Sequence, residues 1–171
     1  GELCDGIHVH PMHSMHYIET RLLPAVAQGA TKAGRQVKDI DLFVPVFAVA
    51  GDSPEEQAAM RHRAKTQIAF YGSTPNYAFQ FDDLGFEGTT QKLGALMKAG
   101  DINGMADLIS DDMLEHFALV ASWDDMADQL LARYKGVAAR VVTYLTAEDI
   151  RKYPHNLPRW GEISNAVRTA V

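Results

Sequence analysis

The sequence is short of cysteine, of long hydrophobic runs and of positive charge, and each shortage excludes a class of protein. A single cysteine, Cys4, cannot build a disulfide framework and fits a reducing cytoplasm. The longest uninterrupted apolar run, residues 42–51, is too short to cross a bilayer. Acidic and basic residues are interspersed at a net charge of −6, without a basic stripe. We therefore expect a cytoplasmic protein with neither a membrane nor nucleic acid as a partner.

Common phosphate-binding and nucleophile motifs are also absent. The sequence contains no G-x-G-x-x-G, no Walker motif and no nucleophile elbow. Its apolar fraction of 47% and charged fraction of 22% are ordinary for a soluble globular protein. A chain of 171 residues predicts a single domain, residues 1–171, with one core.

The hydrophobic pattern predicts three strands, at about residues 6–10, 41–50 and 140–145. The first alternates apolar residues with histidine, and the second is a continuous apolar run typical of a strand buried on both faces. Pro45 inside the second strand requires a bulge or a locally unpaired position. Helices are expected between the strands, so the connections are crossovers and the sheet is parallel.

The helical pattern is most extensive between the second and third strands. Pro24 is expected to kink or break the helix in which it lies. Residues 76–88, which hold four aromatic side chains, are predicted to form a packed irregular segment. The predicted helices cover about residues 15–33, 52–71, 90–99, 102–109, 111–117, 122–134 and 160–169.

Four of the seven histidines lie within nine residues, between His8 and His16. In a strand, His8 and His10 point to the same face, which in a parallel barrel is the lumen near the active-site end. They either reach a cofactor or substrate, bind a metal, or serve only as structural residues. A metal is disfavoured because the other predicted strands supply no further ligands. His13 and His16, in the following loop and helix start, are expected to be solvated or capping residues.

Residues 70–77 form the second candidate site, an aromatic segment interrupted by a Gly-Ser-Thr-Pro turn. Such a turn can place hydroxyl groups over a pocket, but on the residues alone a helix stop with core aromatics is the simpler interpretation. The residues predicted to line a pocket are His8, His10, Tyr71, Ser73 and Tyr77.

Several segments, in order and spacing, resemble the C-terminal half of the bacterial luciferase-like monooxygenase family. Residues 1–6 are similar to its A-G-E-x-A-D-G segment, and residues 33–41 to its A-G-R-x-x-x-D-I-E segment. Residues 51–75 match a helix of a subgroup described as F420-dependent oxidoreductases. Residues 119–134 resemble its V-G-T-P-E-E-x-x-x-x-L segment, with Trp123 in place of the family's proline.

The resemblance implies an α/β fold that is a partial TIM (β/α)8 barrel. The chain would supply the last three parallel strands, with a helical insertion before the final strand. It also implies FMN or F420 at the C-terminal ends of the strands, in an oxidoreductase acting on a small organic substrate. His8, His10, Tyr71, Ser73 and Tyr77 would then bind the cofactor.

Because a barrel has eight strands, we expect this chain to be a fragment that begins inside a fold. Alone it should be inactive, bind FMN or F420 weakly, and form a homo-oligomer that covers its open sheet. The sequence is also compatible with two other functions: a non-catalytic α/β assembly module, and a metal-dependent hydrolase that uses His8 and His10.

Overall fold

A parallel sheet of four strands lies at the centre of the computed structural model, which describes residues 1–170. The strands are β1 (Gly6–His8), β2 (Asp41–Ala50), β3 (Ala118–Ala121) and β4 (Arg140–Thr143). β2 pairs with each of the other three, and every pairing is parallel. The predicted α/β fold with parallel strands is confirmed.

β2 changes its partner along one edge. Its residues 41–43 pair with β1, whereas residues 47–50 pair with β3. The backbone N–H and C=O groups of successive residues point alternately to the two edges of a strand. In β2 the backbone groups of the odd-numbered residues point to the edge shared by β1 and β3. Thus Phe43 O accepts from Val9 N, and Gly51 N donates to Ala121 O. Pro45 lies in the gap between the two pairings, so its missing N–H removes no ladder hydrogen bond.

β4 pairs with residues 43–46 along the other edge of β2. The carbonyl oxygens of Leu42 and Val46 accept hydrogen bonds from Ala139 N and Tyr144 N on that side. Within residues 1–170, β2 is the only strand that pairs with β4. The outer edge of β4 is therefore left with unpaired backbone groups.

The helices alternate with the strands along the chain, in the order expected for crossover connections. A π-helical turn, Ile18–Leu22, lies before Pro24, and Leu23 N donates to Ile18 O. The wider turn accommodates the proline within a continuous helical segment, so Pro24 interrupts the regular α-helical pattern without breaking the helix. The helices are α1 (Met15–Tyr17), α2 (Leu23–Lys32), α3 (Pro54–Gly72), α4 (Ala78–Asp82), α5 (Thr89–Ala99), α6 (Ile102–Leu108), α7 (Asp111–Phe117), α8 (Met126–Tyr134), α9 (Thr146–Lys152) and α10 (Leu157–Thr169). None of these described helices is long and apolar enough to cross a membrane.

Three elements, α4, β3 and α9, were not predicted from the sequence, and two strands are shorter than predicted. α4 lies within residues 76–88, so the prediction of an irregular segment there is wrong for residues 78–82, where five residues are too few to show a helical period. β3 has only four residues and follows α7 directly, so it carries too little pattern to be recognised. α9 was also missed. β1 ends at His8 and β4 at Thr143, each two residues before the predicted end.

The two faces of β2 differ along its length. In its first half, Leu42, Val44 and Val46 are buried under the helices, whereas Phe43 and Pro45 on the opposite face are only half-buried. From Phe47 onward both faces are buried. The prediction of a strand buried on both faces is thus correct only for the second half. The less covered face, carrying Phe43, is called the open face below.

Two buried tryptophans dock the C-terminal helices onto the sheet. Trp123, which follows β3, donates its backbone N–H to Asp52 and its indole N–H to Glu56, at 3.2 and 2.7 Å. Trp160 of α10 packs edge-on against Trp123, with ring centroids 5.1 Å apart. Its indole N–H donates to Asp149 at 2.9 Å. These contacts join the ends of β2 and β3 to α9 and α10.

We expect Trp160→Phe to lower the free energy of unfolding more than Trp123→Phe. Both indoles are 5% exposed, so the loss of packing is matched. Trp160 donates to Asp149, which is 7% exposed, whereas the Glu56 side chain bonded to Trp123 is 39% exposed. A hydrogen bond to a charged group contributes about 1.5–3 kcal/mol, and water replaces it less readily at buried Asp149, which keeps only the Asn156 amide as donor, than at the more exposed Glu56. Urea denaturation followed by circular dichroism measures the difference, and equal losses would contradict it.

Candidate functional site

The first part of the site is a row of side chains on the open face. The His8 ring stacks on Phe43, with centroids 4.9 Å apart and planes 19° apart. The Arg140 guanidinium lies 5.5 Å from the centre of the same phenyl ring. The three residues come from β1, β2 and β4 at adjacent register positions, and His8 and Arg140 are exposed.

The second part is an aromatic cluster where the strands end, made of His10, Phe47, Tyr71, Tyr77 and Tyr144. His10 stacks on Tyr77 at 4.8 Å and meets the edge of Tyr71 at 4.7 Å. The hydroxyls of Tyr71 and Tyr144 are 3.1 Å apart, within hydrogen-bond distance. Tyr144 also packs edge-on against Phe47 at 5.3 Å. Rings from four separate parts of the chain therefore meet just beyond the carboxyl ends of β1 and β4, beside the second half of β2.

The end of α3 positions Tyr71 and Tyr77. Gly72 is the last residue of α3, and a Cβ there would lie 2.4 Å from the Phe81 ring, so only glycine permits this close packing. A 3-10 turn, Pro75–Tyr77, begins after two intervening residues and brings Tyr77 back toward His10. The aromatic–Gly–Ser–Thr–Pro segment is thus both a helix stop and part of the cluster.

The protonation states in the cluster follow from burial and hydrogen bonding. Burial lowers the pKa of His10, and its Nδ1 accepts a hydrogen bond from Met12 N at 3.1 Å. The neutral ring consequently carries its proton on Nε2. The hydrogen bond with Tyr144, and then partial burial, raise the pKa of Tyr71 to about 12. At neutral pH the cluster therefore presents an uncharged imidazole and a protonated phenol.

His13 is buried, so the expectation that it is solvated is wrong. Its side chain is 2% exposed, and its Nδ1 donates to the carbonyl of His10 at 2.9 Å. Because Nδ1 carries the proton, Nε2 is the acceptor for the Tyr134 hydroxyl of α8, 3.4 Å away. Burial lowers the pKa of His13 to about 4. His13 fixes the loop that carries His10, whereas His16 is exposed as predicted.

The structure brings together three of the five predicted site residues. His10, Tyr71 and Tyr77 are in the aromatic cluster, while His8 lies further down the open face beside Phe43. Ser73 does not join them, because its hydroxyl donates to Phe70 O and it lines a separate groove beside α5. A binding role for the five residues stays a prediction.

Tyr144 was not singled out from the sequence. Alternation from Arg140 through Val142 to Tyr144 would have put all three on one face of the last predicted strand. Across the described chain, no group of three or more His, Cys, Asp or Glu side chains is arranged to hold a metal ion.

Comparison with known proteins gives matches over most of the chain. The family model of luciferase-like monooxygenases matches residues 1–140. Uncharacterised proteins of Mycobacterium tuberculosis and Mycobacterium bovis are 35% identical over 147 residues, covering 86% of this chain and 43% of theirs. The 5,10-methylenetetrahydromethanopterin reductase of Methanopyrus kandleri is 25% identical over 143 residues, covering 83% of this chain and 39% of the reductase.

A solved structure resembles the fold. The coenzyme F420-dependent tetrahydromethanopterin reductase of Methanopyrus kandleri superposes with a TM-score of 0.64 at 20% sequence identity. The match covers 82% of this chain and 39% of that one. The chain therefore spans about two fifths of the length of these relatives, and its fold corresponds to part of a TIM barrel.

We expect the stability of the protein to fall as the pH decreases from about 6.5 toward 4. The folded state keeps His13 neutral down to about pH 4, whereas in the unfolded chain it takes up a proton near its ordinary value of 6.5. Protons therefore favour unfolding in this window, and the full loss from His13 is about 3 kcal/mol.

Unfolding free energies measured across this range should depend less on pH for His13→Gln than for the original chain. His16→Gln, at an exposed position, should leave the dependence unchanged. Should His13→Gln fail to fold, NMR titration of the native imidazole gives the pKa directly. A value near 6.5 would contradict the expectation.

Proposed function

Because the chain belongs to the luciferase-like monooxygenase family, we propose that it carries one wall of the active site of a flavin- or F420-dependent oxidoreductase. The observation that supports this most is the position of the aromatic cluster. It lies where parallel strands end, which is the end of a TIM barrel that holds the active site. The likeness of the fold to the coenzyme F420-dependent reductase of Methanopyrus kandleri supports this proposal.

The exposed groups fit a flat, heteroaromatic cofactor. His8, Val142 and Tyr144 are exposed on the open face, the last two by 47% and 40%. Flat ring faces and apolar side chains suit the surface of an isoalloxazine or deazaflavin ring. The Tyr71 and Tyr144 hydroxyls and the Nε2–H of His10 supply hydrogen-bonding groups for its polar edge or for the substrate.

In this proposal the bound cofactor supplies the hydride or oxygen chemistry, and the chain supplies position and electrostatics. His8 and His10 would contact the cofactor together with Tyr71 and Tyr77, and Ser73 would contribute only from its separate groove. His10 is poised to hold a proton at Nε2 near the substrate. His13 would act through His10, by holding the carbonyl of the same residue.

Two other functions have less support. A metal-dependent hydrolase would need His8 and His10 to converge, but each ring packs on different aromatic partners. A non-catalytic assembly module would not require neutral, hydrogen-bonded side chains at the strand ends. We also propose a cytoplasmic location, which the single free cysteine, Cys4, supports.

We expect the chain alone to be inactive and to bind FMN or F420 weakly, since the matched part covers only 43% of its relatives. Quenching of cofactor fluorescence measures binding. His10→Ala and Tyr77→Ala should each weaken it by roughly threefold to tenfold, because each removes an aromatic face. Tyr153→Ala, an exposed tyrosine outside the cluster, should have no effect.

Three results would count against this proposal. Tight binding would mean that the chain carries more of the site than proposed. Equal binding by all variants would remove the cluster from the site, and no saturable binding of either cofactor would reject the function.

We further propose that a second copy of the chain pairs along the outer edge of β4, forming a homo-oligomer. The outer edge of β4 is unpaired and exposes Val142 beside it. Light scattering at micromolar concentration should show self-association that Val142→Lys weakens. Ile102→Lys on α6 changes a side chain of the same 47% exposure and should not. A clean monomer for the original chain would contradict the proposal.

A further inference from the structure

A charged cleft adjoins the aromatic cluster. Its volume is about 380 Å³, and it lies between α3 and the junction of β4 with α9. Arg63 and Gln67 line it from α3, two turns and one turn before Tyr71 respectively, so the three share a helix face. Tyr144 lines the cleft and also bonds Tyr71 in the cluster. The cleft and the cluster therefore share a wall.

Two guanidinium groups meet on one carboxylate in this cleft. Glu148 pairs with Arg63 through Oε2 and lies 3.6 Å from Arg151 through Oε1. All three side chains remain accessible, with exposures of 33% for Glu148, 47% for Arg63 and 79% for Arg151. The group carries two positive charges against one negative charge, so it is not neutralised internally.

We propose that this cleft is a subsite for the anionic group, phosphate or carboxylate, of the substrate. Glu148 is an internal counter-ion that holds the two arginines in place until the incoming anion displaces it. Arginine presents a planar fork that bonds phosphate and carboxylate oxygens in pairs, which suits such an exchange. The inference rests on the proposed function only in assigning the anion to the substrate.

The anion would bind beside Tyr144, and the reacting part of the substrate would extend into the aromatic cluster. The Tyr71 and Tyr144 hydroxyls lie between the two regions. Gln67, on the same wall as Arg63, adds a neutral hydrogen-bonding group. The structure thus favours a substrate with a charged end and a small uncharged reacting end.

Binding of inorganic phosphate and of glutarate to the full chain tests the proposal. Calorimetry gives the affinity, and NMR shifts of the Arg63 and Arg151 Nε–H groups locate the site. Arg63→Gln and Arg151→Gln should each weaken binding by roughly tenfold, since each removes a charge-assisted hydrogen-bonding group. Glu148→Gln should strengthen binding, because it removes the competing carboxylate. Tighter binding of phosphate or of glutarate identifies the preferred source of the anion.

The matched control is Arg61→Gln, on the same helix but paired with Asp111 at 4.0 Å. It removes the same charge from α3 and should change the affinity by less than about twofold, as expected for a screened distant charge. No saturable binding of either anion would show that Arg63, Arg151 and Glu148 are only a surface ion-pair group. Weaker binding by Glu148→Gln, or equal weakening by Arg61→Gln, would also overturn the subsite.

These titrations contain no FMN or F420 and measure no turnover. Anion binding can therefore hold while cofactor binding fails, which would reject the proposed function and leave the subsite. Cofactor binding without anion binding would reject the subsite alone.

Discussion

The architecture depends on one strand having enough length for two partners on the same edge. β2 is ten residues long, whereas β1 and β3 have three and four. Because β1 stops at His8, the edge of β2 beyond it would be unpaired without β3. Pro45 occupies the one place on that edge where no N–H is needed. Because β1 ends at His8, the following segment, which contains His10 and His13, leaves the sheet.

The departure of this segment from the sheet explains why His10 is part of the aromatic cluster. A His10 in regular continuation of β1 would stay paired with β2, but here its ring lies between Tyr71 and Tyr77. The buried imidazole of His13 replaces the strand as the anchor, through its bond to the His10 carbonyl. The histidine-rich stretch therefore places three rings in three environments. His8 lies on the sheet, His10 in the aromatic cluster and His13 in the core.

The sequence predicted those parts of the fold that depend on local pattern, and missed those that depend on tertiary contact. β2 and α3 were predicted closely because an apolar run and an N-cap with Pro54 are visible in the chain itself. β3 could not be predicted, since four residues become a strand only when β2 offers an edge. Burial of His13 could not be predicted either, because the helix that covers it, α8, lies about 120 residues away in the sequence. The position of Tyr144 on the open face could have been predicted from the alternation of residues in the last strand alone.

Trp123 shows how a departure from a family pattern can be compensated. The luciferase-like family has a proline here, and a proline has no N–H to donate to Asp52. Trp123 uses both its backbone and its indole N–H groups, and its ring is covered by Trp160 and by the Arg159 guanidinium, 5.1 Å from the ring centre. Both covering residues lie beyond residue 140, where the family match ends. The fixed geometry of the proline turn is thus replaced by contacts from the C-terminal helices. This couples the ends of β2 and β3 to α9, the helix that carries Glu148 and Arg151.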